Sequence, residues 1–401
     1  MRVAVDCGHE RLEFEVAGEN LIASRPPPAP LPGPGAAVRA ALESPHAYPP
    51  LRRALTPGDR VTVVVDERLP QPARLLVPVL EHITAAGVAP EALTLLCAPS
   101  ASRQPWLEEL PDEFEEVQLE VHDPADRKRL SYLATTASGR RLYLNRTLVD
   151  ADQAVVLSGR RYDPVLGYGG AEGAIYPALA DEATRAEAHS QVRLTAPGGS
   201  PWPAQKEAVE TAWLLGAPFF VQVIEAAGDE VAHVVAGAAE ASVAGRELQD
   251  ACWRQSVARP ADLVIASLAG DPARQTFADL AAALDCAARV VRPGGRLVLL
   301  TAANPALGPD TDGLREAEEG SPALVKLRQH PTLETVPALR WANAVAGARV
   351  YLLSGLPGEA VEELSATPLE NAGQVQRLID AGGSCLFIGD AHKALAILTD
   401  S

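Results

Sequence analysis

A glycine-rich stretch that follows an apolar segment is the part of this chain best suited to bind a ligand. Residues 154–157 are apolar, and Gly159, Gly167, Gly169 and Gly170 follow them before small residues resume. Glycine lets a backbone approach a ligand closely, and the first N–H groups of a helix after such a turn can bind an anion. The pattern therefore predicts a buried strand, a ligand-binding turn and a helix with free N–H groups at its start.

Charged and polar side chains also follow two earlier apolar segments. Asp66 and Arg68 stand after the first of them, and Ser102 and Arg103 stand after the second. Ligands of parallel α/β sheets bind at the carboxyl edge of the strands. We therefore expect these four side chains to meet the 159–170 loop at one edge of a sheet.

These segments are part of a pattern in which strands alternate with helices. In the first half, strands are predicted at 60–65, 93–97, 117–122, 154–157 and 219–224, with an antiparallel partner at 231–235 and a helix at 72–87. In the second half, strands are predicted at 262–267, 296–300 and 348–354, with a helix at 277–288. The alternation is typical of an α/β fold with mainly parallel sheets flanked by helices. We expect two domains, 1–257 and 260–401, with a ligand cleft between them.

The first 35 residues are expected to form a hairpin and a connector that belong to the first domain. Residues 1–24 alternate as two strands would, with the turn at residues 18–20. Residues 26–35 are rich in proline, which excludes a regular helix and indicates an extended connector.

Composition excludes several classes of function. The 401 residues are 47% hydrophobic and 22% charged, as in a globular protein, and the net charge of −17 argues against a nucleic-acid partner. No apolar run is long enough to span a membrane, and the first residues do not form a signal peptide. The five cysteines are scattered, so we expect reduced thiols, no zinc site and a cytoplasmic protein.

Short strings spread over nearly the whole chain stand in the order found in one enzyme family. They are residues 65–70 (VDERLP), 98–103, His122-Asp123, Gly139, Asn145-Arg146, Tyr168-Gly169-Gly170, Pro177, Ala188-His189, 259–267, Gly270, Pro272 and Gly294-Gly295. In order and spacing they resemble the nickel-pincer lactate racemase family, whose members isomerise 2-hydroxy acids. The resemblance implies a cleft that holds a nickel pincer nucleotide, usually tethered to a lysine, with a histidine on nickel and two histidine bases.

Carried over by position, the resemblance implies a role for each candidate residue. His189 is the implied nickel ligand, and Asp66 and Asp163 are the implied catalytic residues, Asp163 as a substitute for a lost base. The implied cofactor-binding residues are Arg68, Ser102, Arg103, Tyr168, Gly169, Gly170 and Glu172. Arg68 suits a phosphate or a substrate carboxylate, because a guanidinium binds either through paired hydrogen bonds.

The chain departs from the family at the residues that perform the chemistry. The two base histidines fall at Ser102 and Val165, and the tethering lysine falls at Glu172 or Gly173. Neither serine nor valine can shuttle a proton near neutral pH, so the two-base mechanism is disabled. A nucleotide here would be bound without a covalent tether.

Two functions therefore remain open. One is a divergent isomerase that acts on a 2-hydroxy acid or a similar small carboxylate, with the nickel nucleotide held non-covalently. The other is an inactive paralogue that binds a small anion or a nucleotide and has a regulatory role. The sequence leaves the oligomeric state open.

Two other nucleotide-binding classes are excluded. Residues 287–299 look like the helix, turn and strand of an S-adenosylmethionine methyltransferase, but residues 215–270 contain no strand followed by a GxGxG loop. A dinucleotide-binding dehydrogenase is excluded because the GxGxxG motif with an acidic residue about 20 positions later is absent.

Overall fold

The computed structural model describes residues 1–99, 104–307, 311, 314 and 332–399. Within these ranges the strands are β1 (Arg2–Cys7), β2 (Glu10–Glu15), β3 (Leu21–Arg25), β4 (Val61–Val65), β5 (Leu93–Cys97), β6 (Gln118–Val121), β7 (Leu130–Thr135), β8 (Arg141–Asn145), β9 (Gln153–Gly159), β10 (Arg161–Asp163), β11 (Gly167–Gly169), β12 (Phe219–Glu225), β13 (Val231–Gly237), β14 (Arg254–Val257), β15 (Ala261–Ser267), β16 (Val291–Leu300), β17 (Arg349–Leu353), β18 (Thr367–Pro368), β19 (Cys385–Ile388) and β20 (Leu395–Leu398). The helices are α1 (Pro34–Glu43), α2 (Pro72–Thr84), α3 (Arg146–Val149), α4 (Glu182–His189), α5 (Pro203–Leu214), α6 (Ala239–Trp253), α7 (Phe277–Ala288), α8 (Val336–Gly347), α9 (Gly358–Glu363) and α10 (Ala372–Asp380).

The first sheet has the order β13-β12-β9-β4-β5-β6. All its strands are parallel except β13, which pairs antiparallel with β12. The central strand β4 is a run of valines and threonine that is buried on both faces, as parallel sheets require. Leu75, Leu76, Val79, Leu80 and Ile83 of α2 follow helical spacing and cover one face of this sheet. Each such side chain contributes about 2 kcal/mol when it is fully buried.

The second sheet has the order β18-β17-β16-β15-β19-β3, and every pair in it is parallel. Helices α7 and α8 cover one face, and α10 with the β1–β2 hairpin covers the other. Helix α7 begins at a capping box in which Thr276 and Asp279 exchange hydrogen bonds. The predicted α/β class with mainly parallel, helix-flanked sheets is confirmed.

The N-terminal segment departs from its prediction. The hairpin turns at residues 8–9 and not at residues 18–20, because β1 and β2 pair from Cys7 and Glu10 outward. Residues 21–25 then form β3, which pairs with β19. The first 25 residues therefore pack against the second sheet, although the sequence analysis assigned them to the first domain, and the proline-rich connector carries the chain across to α1. The division into two domains stays a prediction.

Two further expectations concern membranes and thiols. Within the described ranges, no helix has the length and apolar character that crossing a membrane requires. All five cysteines are unpaired, and all except Cys252 are buried.

Candidate functional site

The strand order of the first sheet places a crevice between β4 and β9. The chain proceeds from β4 through β5 and β6 on one side, and then continues with β9, β12 and β13 on the other. Connections diverge at the carboxyl ends of β4 and β9, and such a switch point opens a ligand crevice in doubly wound sheets. Asp66 follows β4, while Arg160 and Arg161 follow the last paired residue of β9, so charged side chains stand at this crevice.

Asp66 is held in one orientation by three donors. The backbone N–H of Arg68 donates to Oδ1 at 3.1 Å, and that of Gly159 donates to Oδ2 at 3.2 Å. The guanidinium of Arg161 also donates to Oδ2. Burial raises the pKa of Asp66, but Arg161 and Arg68 outweigh burial and hold it well below the usual range. Asp66 is therefore a fixed anion at neutral pH.

Arg161 begins a chain of alternating charges that reaches the second sheet. Its Nη2 lies 3.3 Å from the carboxylate of Glu225 at the end of β12, and Glu225 lies 3.0 Å from Nζ of Lys393 in the segment after β19. Burial raises the pKa of Glu225, yet Lys393 and Arg161 lower it to about 2. Burial lowers the pKa of Arg161, but Asp66 and Glu225 outweigh it and raise that pKa above its ordinary value. Asp66, Arg161 and Glu225 are thus charged at neutral pH.

Arg68 presents its guanidinium to solvent at the mouth of the crevice. Its side chain is 75% exposed, and Nε lies 3.6 Å from Oδ1 of Asp66. Arg274, from the loop after β15, donates to the carbonyls of Arg68 at 3.3 Å and Leu69 at 2.9 Å. The backbone of this loop is therefore fixed from the second sheet, while the Arg68 side chain remains available to an anion.

The expected approach of Ser102 and Arg103 to this edge stays a prediction, because both residues lie outside the described ranges. The remaining members of the predicted set do meet. Asp66, Arg68 and Gly159 are joined by hydrogen bonds at the carboxyl edge of the first sheet.

The equivalent crevice of the second sheet is filled by protein. Its switch point lies between β15 and β19. The turn between β12 and β13 contacts the loops after these two strands. The backbone N–H of Gly228 in this turn donates to Asp390 at 3.0 Å, and Lys393 donates to the carbonyl of Ala226 at 3.0 Å. Asp390 also accepts from the backbone N–H of Ala269 at 2.9 Å. Protein groups therefore occupy the carboxyl edge of the second sheet at its switch point.

The glycine segment packs against its own strand. Strand β9 is followed by the β10–β11 ribbon and then by a single 3-10 turn, Ala171–Ala174. Gly170 has φ of +79°, and a Cβ there would overlap the carbonyl oxygen of Gly159. The backbone N–H of Ala171 donates to Oγ of Ser158 at 2.8 Å, and that of Gly173 donates to the Gly170 carbonyl at 2.9 Å. The predicted helix with free N–H groups is therefore wrong, because both of these groups already have partners.

Glu172, at the position of the family lysine, points into the protein. Its Oε2 accepts from Oγ of Ser242 at 2.7 Å and lies 3.9 Å from the guanidinium of Arg160. Arg160 is almost completely buried and donates to Gln222 at 2.6 Å and to the carbonyl of Gly169 at 3.2 Å. Burial lowers the pKa of Arg160 to about 10, against the opposing charge of Glu172. Glu172 thus faces Arg160 and Ser242 inside the protein, and its implied cofactor-binding role stays a prediction.

Tyr168 and Asp163 are both engaged within the protein. The hydroxyls of Tyr162 and Tyr168 each donate to Asp250 of α6 at 2.8 Å. Oδ1 of Asp163 accepts from the backbone N–H groups of Val165 at 2.7 Å and Leu166 at 2.8 Å. Asp163 therefore closes the turn of the ribbon, and its catalytic role stays a prediction.

His189 is the last residue of α4, at a contact with the second half of the chain. Its Nδ1 lies 3.4 Å from a carboxylate oxygen of Glu334. Burial lowers the pKa of His189, although Glu334 opposes this, so the imidazole is neutral at pH 7. A neutral imidazole can bind a metal ion. Among the described residues, no group of three or more His, Cys, Asp or Glu side chains is arranged around a metal position.

These residues do not fit a pincer nucleotide held as the family holds it. The tethering position carries an anion, Glu172, which is directed at Arg160. Two N–H groups of the loop, those of Ala171 and Gly173, are bonded to the protein. Val165, at the second base position, is a buried apolar residue of the core.

Four of the charged residues that organise this site were not predicted from the sequence. Arg160, Arg161, Glu225 and Lys393 are not among the candidate residues that the sequence pattern predicts. Arg160 and Arg161 carried a usable signal, because two arginines directly after a buried strand stand at the carboxyl edge of a parallel sheet. Lys393 had no such signal, since it lies far away in sequence.

Comparisons with known proteins agree with this architecture. The family model for the lactate racemase N-terminal domain matches residues 7–198. A lactate racemase from Thermoanaerobacterium thermosaccharolyticum is 23% identical over 367 residues, which are 86% of this chain and 85% of that protein.

Solved structures show the same fold. The lactate racemase apoprotein from Thermoanaerobacterium thermosaccharolyticum matches with a TM-score of 0.81 at 18% identity, over 99% of this chain and 100% of that chain. A protein from Thermotoga maritima matches with a TM-score of 0.62 at 14% identity, over 91% of this chain and 97% of that chain.

Proposed function

Because this chain is lactate racemase-like, we propose that it binds a 2-hydroxy acid or a similar small carboxylate at the carboxyl edge of its first sheet, without two-base isomerisation. The observation that carries the proposal is the pair formed by Asp66 and Arg68. Asp66 is a fixed anion at the switch point, and Arg68 extends an exposed guanidinium beside it.

This pair suits the two functional groups of a 2-hydroxy acid. The Arg68 guanidinium donates two parallel hydrogen bonds to the substrate carboxylate. The Asp66 carboxylate accepts the hydrogen bond of the 2-hydroxyl group, because its ionised form only accepts. A carboxylate without the hydroxyl group would lose the second contact, and its own negative charge would face the Asp66 carboxylate with no hydrogen bond between them.

Isomerisation is not supported by the residues at the base positions. Val165 is buried and apolar, and Ser102 does not titrate near neutral pH. A small-anion binding protein of this kind would have a regulatory or carrier role. We place it in the cytoplasm, because its five thiols are unpaired.

Calorimetric titration with D-lactate, L-lactate and acetate tests this proposal. Saturable binding of lactate, with acetate at least about tenfold weaker, supports it. Arg68→Met should weaken lactate binding by about tenfold or more, and Arg53→Met, at an exposed arginine away from the crevice, should not. Failure of both lactate enantiomers to bind would contradict the proposal.

One observation favours a second candidate, a nickel-dependent isomerase with non-covalent nucleotide. His189 remains at the implied metal position as a neutral imidazole. The candidate is tested on protein co-expressed with the cofactor-synthesis enzymes, by metal analysis, intact mass and racemisation of single lactate enantiomers. Near-stoichiometric nickel that is lost in His189→Ala would support it, whereas protein without nickel would exclude it.

A further inference from the structure

The side chain of Lys393 connects the second sheet to the candidate ligand crevice of the first. Its ammonium group lies 3.0 Å from Oε2 of Glu225 and 5.9 Å from the centre of the Trp253 ring. It also donates to the carbonyls of Ala226 and Gly228. Its side chain is 11% exposed, so this is an interior contact and not a surface ion pair.

Glu225 pairs with Arg161 as well as with Lys393. Each carboxylate oxygen of Glu225 has a different partner. Oε2 contacts Lys393, and Oε1 lies 3.3 Å from Nη2 of Arg161. The guanidinium of Arg161 is divided in the same way, with Nη2 on Glu225 and Nη1 on Asp66. The two inner groups, Arg161 and Glu225, therefore each have one partner on either side.

We propose that Lys393 is a positioning residue for Asp66, acting through Glu225 and Arg161. Lys393 neutralises Glu225, which leaves Arg161 free to orient Asp66 in the crevice between β4 and β9. Without Lys393, two carboxylates compete for Arg161, and the guanidinium turns toward Glu225. We call the series Lys393, Glu225, Arg161 and Asp66 the relay. The relay is a property of the protein without ligand, and only its biological role rests on the proposed carboxylate site.

The test measures the ionisation of Asp66 by carboxyl carbon-13 NMR on protein without ligand, with Asp66→Asn for assignment. The groups that face Asp66 are Arg161 from β10, Arg68 from its own loop and the Cys97 thiol from β5. In Lys393→Met, the pKa of Asp66 should rise by about 1 or more, because its main cation is shared. Lys393→Arg should restore most of the original value. Lys206→Met, at an exposed lysine of α5, is the matched control and should change nothing.

Glu225→Gln separates positioning from a general loss of structure. This substitution removes the competing anion, so Arg161 pairs with Asp66 alone and the pKa of Asp66 should not rise. The double variant Lys393→Met with Glu225→Gln should therefore return toward the original value, because the two changes act on one network. If Lys393→Met fails to fold, Glu225→Gln alone still tests the proposal. A rise in the pKa of Asp66 in Glu225→Gln would overturn the relay.

Lactate titration of the same variants keeps the two proposals apart. Lys393→Met should weaken lactate binding about tenfold, in parallel with the Asp66 ionisation. An unchanged Asp66 pKa in folded Lys393→Met would overturn the positioning role, whatever the protein binds. If the pKa of Asp66 changes in Lys393→Met but the unsubstituted protein binds no lactate, the relay is supported and the proposed binding of a 2-hydroxy acid is contradicted.

Discussion

The guanidinium of Arg160 lies 3.9 Å from the carboxylate of Glu172, and both side chains are largely buried. Arg160 also donates to the carbonyl of Gly169 and to the carbonyl and hydroxyl oxygens of Ser242, so one buried cation connects the ribbon to α6. The residue at the implied tethering position is therefore part of the packing of the loop. This relationship explains how a chain with the lactate racemase fold can retain the glycine segment without the lysine.

Restoring the lysine should damage the protein. Glu172→Lys places a second cation beside buried Arg160 and removes the acceptor of the Ser242 hydroxyl. Breaking a buried pair in this way costs about 3 kcal/mol or more. Urea unfolding at pH 7 measures the loss, and Glu116→Lys, at an exposed position, is the control that makes the same charge change. Equal stability of the two variants would contradict a structural role for Glu172.

Gly170 should tolerate no side chain. In Gly170→Ala, alanine would have to adopt a left-handed backbone conformation, at φ of +79°. Its Cβ would also overlap the carbonyl oxygen of Gly159, which is a backbone atom and not a flexible side chain. We expect a loss of about 3 kcal/mol. Gly139→Ala is the matched control, because its φ is +86° but nothing lies within 4 Å of the added Cβ. It should cost only the backbone strain, about 1 kcal/mol. Thermal unfolding measures both losses of stability. Similar losses in Gly170→Ala and Gly139→Ala would show that the contact with the Gly159 carbonyl does not contribute.

Asp66 should stabilise the fold in a pH-dependent way. Its folded pKa lies below its unfolded pKa of about 3.9, so its contribution is complete above the unfolded value and is lost as pH falls through the folded one. Asp66→Asn should therefore lower the free energy of unfolding by about 3 kcal/mol at pH 7. The difference between Asp66→Asn and the unsubstituted protein should shrink only below about pH 4.

The control for this measurement is Asp152→Asn. Asp152 also pairs with an arginine, Arg60, but both side chains are about half exposed or more. Solvent screens such a pair, so its removal should have only a small effect on unfolding. A loss for Asp66→Asn that is no larger than the loss for Asp152→Asn would contradict the buried, ionised state of Asp66.

Much of the fold follows from periodicity in the sequence. The predicted strand at 93–97 and helix at 277–288 agree with β5 and α7, because uninterrupted apolar runs and a clear start and stop mark their ends. The N-terminal turn was misplaced because alternation does not identify the partner of a strand. Residues 21–25 alternate as a hairpin strand would, yet they pair with β19, far away in sequence.

The site was predictable only in part, for a related reason. Asp66 and Arg68 follow a buried strand, and their place at its carboxyl end is a local property of the chain. The partners that set their chemistry come from elsewhere: Arg161 from β10, Glu225 from β12 and Lys393 from the segment after β19. The position of Arg161 after a buried strand could have indicated that it lies at this edge. Only the folded topology brings Glu225 and Lys393 to it, so no spacing in the sequence could indicate those two.

The Cys97 thiol offers a direct report on the crevice. It lies at the carboxyl end of β5, and burial raises its pKa to about 12, with Glu67 and Asp66 adding to the effect. Burial also raises the pKa of Cys7 to about 11 and that of Cys286 to about 12, whereas Cys252 is only half-buried. Because the thiolate is the reactive form, iodoacetamide at pH 8 should label Cys252 first in the native protein.

Peptide mass spectrometry after timed labelling gives the order of reaction, and Cys252→Ser is the control that should leave the native protein nearly unlabelled. All five thiols should react once the protein is unfolded in urea. If Cys97 were labelled as fast as Cys252, the carboxyl edge beside Asp66 would be open to water. This result would contradict the buried pairing of Asp66 with Arg161. Protection of Cys97 that increases with added lactate would instead locate the ligand at that edge.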